Sequence, residues 1–206
     1  MGRILVIRGG AIGDFILTLP ALAALRAAFP QAGLDVLGYP HIARLAAAGG
    51  LADEIHAIEA RRSAGFFARG GAVDDRQPEY FRRYAGIVSY LFDPDGIFAA
   101  NVQRAGAKAQ FLPAPHRPDE RPDRHATEVF LEPLQRLAIF DSPALPRLNV
   151  PPAPAAALPG GPWVALHPGS GGGNKEGAAN PWGGQLRPHG ADTPLDLVLM
   201  GRGAEG

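Results

Sequence analysis

The stretch Arg3-Ile4-Leu5-Val6-Ile7-Arg8-Gly9-Gly10-Ala11-Ile12-Gly13-Asp14 decides the fold of this 206-residue chain. Its apolar, β-branched first half is typical of a buried parallel strand, and its glycines allow a tight turn. The apolar residues that follow recur every three or four positions, which predicts a helix over residues 15–29. Pro20 is expected to kink this helix or to mark a second start.

Asp14 follows the first strand, and ligands bind beyond the carboxyl ends of the strands in open α/β sheets. We therefore expect Asp14, with Gly13 beside it, at a ligand site. Asp14 could simply be the helix N-cap, a contribution of about 1 kcal/mol to stability. It could also act as a general base toward a hydroxyl, because the helix dipole favours the ionised carboxylate. The two roles are compatible.

Strands and helices alternate along the chain, which predicts an α/β fold with a doubly wound parallel sheet. Asp93 and Asp95 follow the strand predicted over residues 86–92, where they could bind a sugar hydroxyl or form a turn. The other strands are predicted over residues 34–38, 54–58 and 108–112, and the other helices over residues 41–48, 98–104 and 125–139.

The composition excludes several classes of function. Twenty basic and twenty acidic residues leave no net charge, so we expect no nucleic-acid partner. The chain has no cysteine, and its histidines lack ligand spacing, so no metal site is expected. No apolar run is long enough to be a signal peptide or a membrane span, which favours a cytoplasmic protein.

Prolines and alanines dominate residues 142–162, which predicts a linker between a domain over residues 1–141 and a second domain over residues 163–206. A strand from Trp163 then leads into a glycine-rich turn that contains Ser170, Gly171 and Lys175. Backbone N–H groups, a hydroxyl and an ammonium could together bind a phosphate there. A flexible loop with a solvated lysine is the alternative.

Two nucleotide-binding motifs are not matched. The glycine-rich turn at residues 170–175 lacks the Gly-Lys-Ser/Thr sequence of a P-loop. The spacing of residues 9–13 differs from G-x-G-x-x-G, and Tyr39 stands where a dinucleotide-binding domain has an acidic residue. Binding of NAD or FAD is therefore disfavoured.

Six segments of the chain resemble glycosyltransferase family 9, the ADP-heptose:lipopolysaccharide heptosyltransferases. The match covers residues 3–8, 10–14 and 17–22, continues through Phe29-Pro30 and residues 34–37, and resumes at His-Pro-Gly-Ser-Gly of residues 167–171. The resemblance implies a GT-B fold, with an N-terminal Rossmann-like acceptor domain and a second Rossmann-like domain for the nucleotide sugar.

The resemblance also implies an activity. A heptose would pass from ADP-heptose, with inversion, to a lipid-A-linked inner-core acceptor, and Asp14 would be the general base. Ser170, Gly171 and Lys175 would approach the diphosphate of the donor, and no cofactor beyond that substrate is implied. The enzyme would be cytoplasmic, at most peripheral to the inner membrane.

Residues 176–194 depart from the family pattern, because they contain several helix breakers where the family has a long helix. The family pattern resumes at residues 195–201 and continues through the turn at residues 202–205, where the sequence stops. We therefore expect a member truncated in its second domain. The alternative is an inactive fragment, or a remnant that binds a sugar or a partner without catalysis.

Overall fold

The computed structural model describes residues 2–59, 65–69, 77–105, 108–118 and 123–149, together with the strands Trp163–Leu166 and Asp196–Leu199. The chain divides into two compact units, Met1–Pro151 and Pro152–Gly206. In the second unit the two described strands, β6 (Trp163–Leu166) and β7 (Asp196–Leu199), pair in parallel.

The first unit is built around a five-stranded parallel sheet with the strand order β3-β2-β1-β4-β5. The predicted α/β fold with a parallel sheet is confirmed. Its elements in chain order are β1 (Arg3–Arg8), α1 (Ile12–Ala28), β2 (Gly33–Gly38), α2 (Pro40–Ala48), β3 (Glu54–Ala57), α3 (Gln77–Arg82), β4 (Tyr84–Ser89), α4 (Ile97–Arg104), β5 (Gln110–Pro113) and α5 (Ala126–Leu131), with 3-10 turns at Gly65–Phe67 and Glu132–Leu137.

Helices cover both faces of this sheet, as a doubly wound fold requires. On the central strand β1, Val6 packs into a core with α1, α2 and α5. Leu5 and Ile7 point to the opposite face, where they join a second core with side chains of α3 and α4. Because β1 is buried on both faces, its sequence is a continuous apolar run rather than an alternating one.

The helix α1 runs unbroken through Pro20, so the expected second start at that residue is wrong. Pro20 is buried between Leu19 and Ala21, which are each 1% exposed. The packing of this helix face on the sheet offsets the cost of the missing hydrogen bond, which proline cannot donate.

Most elements lie within one or two residues of their predicted bounds, and two others differ more. The strand predicted over residues 86–92 is β4, which runs from Tyr84 to Ser89. It pairs in parallel with β1, and the pairing ends where Ile7 lies opposite Ser89. The helix predicted over residues 125–139 is α-helical only to Leu131 and continues as a 3-10 turn to Leu137. Pro133 lies at that junction, and proline cannot donate a helical hydrogen bond.

A network of charged groups ties the amino ends of four strands together. Asp35 of β2 is fully buried, and its carboxylate accepts hydrogen bonds from Arg3 Nε (2.9 Å) and Tyr84 Oη (2.9 Å). Arg83 Nη2 lies 3.2 Å from the same carboxylate. Because Arg3 and Arg83 also reach Glu54 of β3, two guanidinium groups neutralise two carboxylates.

His56 adds a third possible metal ligand to Asp35 and Glu54, and ligand atoms of the three lie within 4.8 Å of one another. The neighbouring guanidinium groups already occupy this position, which identifies an ion-pair network rather than a cation site. The Nε2 atom of His56 lies 2.8 Å from Arg83 Nη2, so it accepts that hydrogen bond in the neutral form. Burial, and then the charge of Arg83, lower the pKa of His56 against the opposing attraction of Asp35 and Glu54.

The lowered pKa of His56 predicts a pH-dependent stability. The neutral His56 side chain contributes to the stability of the fold above pH 6.5. This contribution is lost as the pH falls below 6.5 toward the lower pKa of the folded state, because the unfolded chain binds the proton more readily. We expect the free energy of unfolding of the wild type, relative to His56→Gln, to decrease between pH 7 and pH 5. Urea unfolding followed by circular dichroism measures it. His41→Gln changes an exposed histidine and is the control; parallel pH profiles of wild type and His56→Gln would contradict the prediction.

The start of α4 predicts a second effect on stability. Each carboxylate oxygen of Asp93 accepts one main-chain hydrogen bond, from Phe98 N and Ala99 N, both at 3.0 Å. We expect Asp93→Ala to cost about 1 kcal/mol of unfolding free energy, and Asp93→Asn to cost less because the amide oxygen can still accept one of the two main-chain hydrogen bonds. Asp95→Ala is the control, since Asp95 pairs only with the exposed Arg69 among the described residues. Equal losses in Asp93→Ala and Asp95→Ala, measured by urea unfolding, would refute this assignment.

Candidate functional site

The strand order places a topological switch point between β1 and β4. After β1 the chain enters α1 on one face of the sheet, and after β4 it enters α4 on the other. The two connections diverge and leave a crevice at the carboxyl ends of these strands, which is where doubly wound folds bind ligands. The segments 9–14 and 90–95 border this crevice.

Gly10 sets the geometry of the first segment. Its φ is +97°, and a Cβ atom at this position would lie 3.0 Å from Asp14 Oδ2. The left-handed turn lets the chain enter α1 early, so that Ala11 is the N-cap and Asp14 is the third helical residue. The expectation that Asp14 is the N-cap is therefore wrong.

Asp14 still supports the helix start from its new position. Its Oδ2 atom accepts a hydrogen bond from Ala11 N at 3.3 Å, which fixes the carboxylate over the turn. The side chain is 41% exposed. A carboxylate that is oriented by the backbone and open to solvent can accept a proton from a bound hydroxyl.

Beneath Asp14 lies Arg8, a residue that sequence reasoning missed. It ends β1, it is 2% exposed, and its Nη1 atom donates a hydrogen bond to the carbonyl oxygen of His116 at 2.8 Å. Its Nη2 atom donates to the carbonyl oxygen of Asp14 at 3.1 Å and lies 3.9 Å from Asp14 Oδ1. The guanidinium carbon lies 4.7 Å from the centre of the Phe130 ring.

Burial lowers the pKa of Arg8 from its ordinary value, and the nearby charge of Asp14 opposes that effect. The side chain remains a cation, because the guanidinium group of arginine is not deprotonated in proteins. The signal in the sequence is an arginine at the end of an otherwise apolar central strand. Such a residue is buried by its position in the sheet and must find polar partners nearby.

The segments that border the crevice contain open space and exposed apolar side chains. A Cβ atom at Gly13 would meet nothing within 4 Å. Ile12, at the start of α1, is 54% exposed. Phe92, which follows β4, is 69% exposed, and its ring centre lies 4.6 Å from that of His116.

The other predicted site residues are placed differently from Asp14. Asp93 follows β4 as expected, and the start of α4 uses both of its oxygens. Asp95 is 59% exposed at the surface, where Arg69 contacts it at 3.0 Å. Ser170, Gly171 and Lys175 lie outside the described residues, so their role at a donor phosphate stays a prediction.

Within the part of the chain that the structure describes, no helix has the length and apolar character needed to cross a membrane.

His125 accepts the main-chain N–H of Thr127 at the start of α5, a capping role. The histidines at positions 116 and 125 therefore have contacts within the fold.

No protein-family model matches the sequence, and no curated protein matches it. A solved glycosyl transferase of family 9 from Veillonella parvula has a TM-score of 0.53 and 16% identity, and the match covers 73% of this chain and 46% of that one. The E. coli heptosyltransferase WaaC matches with a TM-score of 0.45 and 18% identity in its structures with ADP and with ADP-2-deoxy-2-fluoro heptose. Each WaaC match covers 68% of this chain, and 49% and 50% of WaaC.

The chain thus spans about half the length of the solved structures that it matches. The likeness to the Veillonella structure concerns the fold, since the identity is low. The strand order of the sheet agrees with this likeness in fold. The sequence resemblance of the opening motif agrees with it as well. In fold, over about three quarters of its length, this chain is similar to a glycosyltransferase of family 9.

Proposed function

We propose that this chain belongs to a glycosyltransferase in which the first unit binds the acceptor and Asp14 is the general base. The observation that carries the proposal is the position of the Asp14 carboxylate, which is 41% exposed at the switch point between β1 and β4. The open space at Gly13 would let an acceptor hydroxyl approach it. The opening motif of the sequence supports the same reaction class.

The geometry around Asp14 suits proton abstraction. Ala11 N holds Oδ2, and Arg8 holds the main-chain carbonyl of the same residue. Both contacts fix the carboxylate before the substrate arrives, so less ordering is needed in the transition state. A general base at the correct distance contributes about 10²–10⁴-fold to the rate.

In the proposed reaction Asp14 removes the proton of an acceptor hydroxyl as its oxygen attacks the anomeric carbon of the donor. The bond from that carbon to the phosphate oxygen breaks, and the nucleoside diphosphate leaves with the electron pair. The configuration at the anomeric carbon is inverted. Lys175, Ser170 and the main chain at Gly171 would stabilise the charge that grows on the diphosphate.

The finer proposal names the substrates. By the resemblance of residues 3–22 and 167–171, the donor is ADP-heptose and the acceptor is a lipid-A-linked inner-core sugar of lipopolysaccharide. The reaction would take place in the cytoplasm, at most in peripheral contact with the inner membrane. A non-catalytic sugar-binding remnant is the alternative, since the chain spans about half the length of its structural neighbours.

Asp14→Asn tests the catalytic role directly. The amide keeps the size of the side chain and an oxygen for Ala11 N, so the fold should persist while the base is lost. We expect turnover of ADP-heptose with deacylated inner core to fall by about 10²–10⁴-fold. Release of ADP by the whole chain is the measurement.

Asp141→Asn is the matched control for this substitution. Asp141 is exposed, and asparagine tolerates its left-handed backbone, with a φ of +54°. Turnover by Asp141→Asn should equal that of the wild type. Equal turnover in wild type and Asp14→Asn would remove Asp14 as the base, and a wild type without turnover would contradict catalysis by this chain.

Substitutions at Gly13 test whether the open space beside Asp14 receives the acceptor. Gly13→Ala should raise the stability by about 0.5–1 kcal/mol, because glycine is a poor helix former and a Cβ atom meets nothing there. Gly13→Leu should fill the space and raise the KM for the acceptor about tenfold, a loss of about 1.4 kcal/mol in binding. Steady-state kinetics beside urea unfolding separate the two effects. An unchanged KM in Gly13→Leu would show that the acceptor binds elsewhere.

A further inference from the structure

Phe92 is the most exposed large apolar side chain among the described residues, at 69%. It lies three residues after β4, at the switch point of the sheet. An exposed phenylalanine gives up the stabilisation of about 1.5–3 kcal/mol that burial of its ring would bring. Its position at the ligand edge, rather than on a distant surface, points to contact with a ligand.

The ring of Phe92 is part of a defined surface. The ring of His116 lies 4.6 Å from it, at an angle of 54° between the planes. The main chain at His116 is in turn held by Arg8 Nη1 at 2.8 Å. The other terminal nitrogen of the same guanidinium donates to the carbonyl oxygen of Asp14, so one buried group contacts the main chain at both His116 and Asp14.

The combination of groups specifies the chemical class of the ligand. An aromatic face carries partial negative charge and attracts the slightly positive C–H groups of a ring packed on it. A pyranose presents such C–H groups on its faces and hydroxyl groups around its rim. An aromatic surface and a carboxylate at the same edge of the sheet complement both parts, because Asp14 can accept a hydrogen bond from a rim hydroxyl.

We infer that Phe92 and His116 form an aromatic platform on which a pyranose ring of the acceptor stacks, with one of its hydroxyl groups toward Asp14. The inference rests on the proposed function for the reaction that follows binding. The platform itself is supported by the exposure of Phe92, its ring contact with His116 and the hydrogen bond from Arg8 to the carbonyl oxygen of His116.

Binding of a methyl heptopyranoside to the whole chain, followed by saturation-transfer NMR, tests the platform. Phe92→Ala should weaken binding at least fivefold, and Phe92→Trp should retain it, because tryptophan offers a larger aromatic face. Phe140→Ala is the matched control, since Phe140 is 62% exposed and lies outside the segments that border the crevice. Glycerol, a polyol without a ring, should show no transfer.

Several results would overturn the inference: no binding of the pyranoside to the wild type, equal binding by Phe92→Ala, or an equal loss in Phe140→Ala. The unfolding midpoint of Phe92→Ala should match that of the wild type, because the ring is mostly exposed. A large fall in that midpoint with unchanged binding would mark Phe92 as structural and overturn the platform.

A transfer assay on the same variants separates the platform from the proposed function. Phe92-dependent binding without any transfer would overturn the catalytic proposal and leave the platform in place. Transfer with an unchanged acceptor KM in Phe92→Ala would overturn the platform and leave the catalytic proposal in place. Loss of both binding and transfer in Phe92→Ala, with wild-type values in Phe140→Ala, supports both.

Discussion

The candidate site depends on one buried cation, the guanidinium of Arg8. It ends the central strand, and it donates hydrogen bonds to carbonyl oxygens of two segments that are more than one hundred residues apart, at Asp14 and His116. A charged group that is 2% exposed is costly unless its donors are used. The two terminal nitrogens of Arg8 find their acceptors where the start of α1 and the segment after β5 converge.

The two ends of the parallel sheet use charge in opposite ways. At the amino end, Asp35 is fully buried, and Arg3, Arg83 and Tyr84 hydrogen-bond to it. At the carboxyl end, Asp14 has one main-chain donor at 3.3 Å and remains 41% exposed. A carboxylate that is enclosed by donors stabilises the fold, whereas one that is left open can accept a proton from a substrate.

Most of the fold of the first unit could be predicted from the sequence, because β1 is a continuous apolar run, α1 carries a periodic apolar pattern, and strands and helices alternate along the chain. The position of Asp14 at the strand-to-helix turn was predictable for the same reason. The roles of Arg8 and of the Phe92–His116 pair were not, since their contacts join residues far apart in the sequence. The N-cap was misplaced because the left-handed φ of Gly10 starts the helix earlier than the side-chain pattern indicates.

Two residues near the carboxyl ends of the strands do not favour stability. Gly13 lowers the helix propensity of α1 where a Cβ atom would meet nothing, and Phe92 leaves an aromatic ring in water. Residues that lower local stability are typical of functional sites, and both of these lie in the segments that border the crevice. The proposed function accounts for them together: the glycine would leave room for an acceptor and the aromatic pair would offer it a surface, while Arg8 contacts the main chain at both Asp14 and His116.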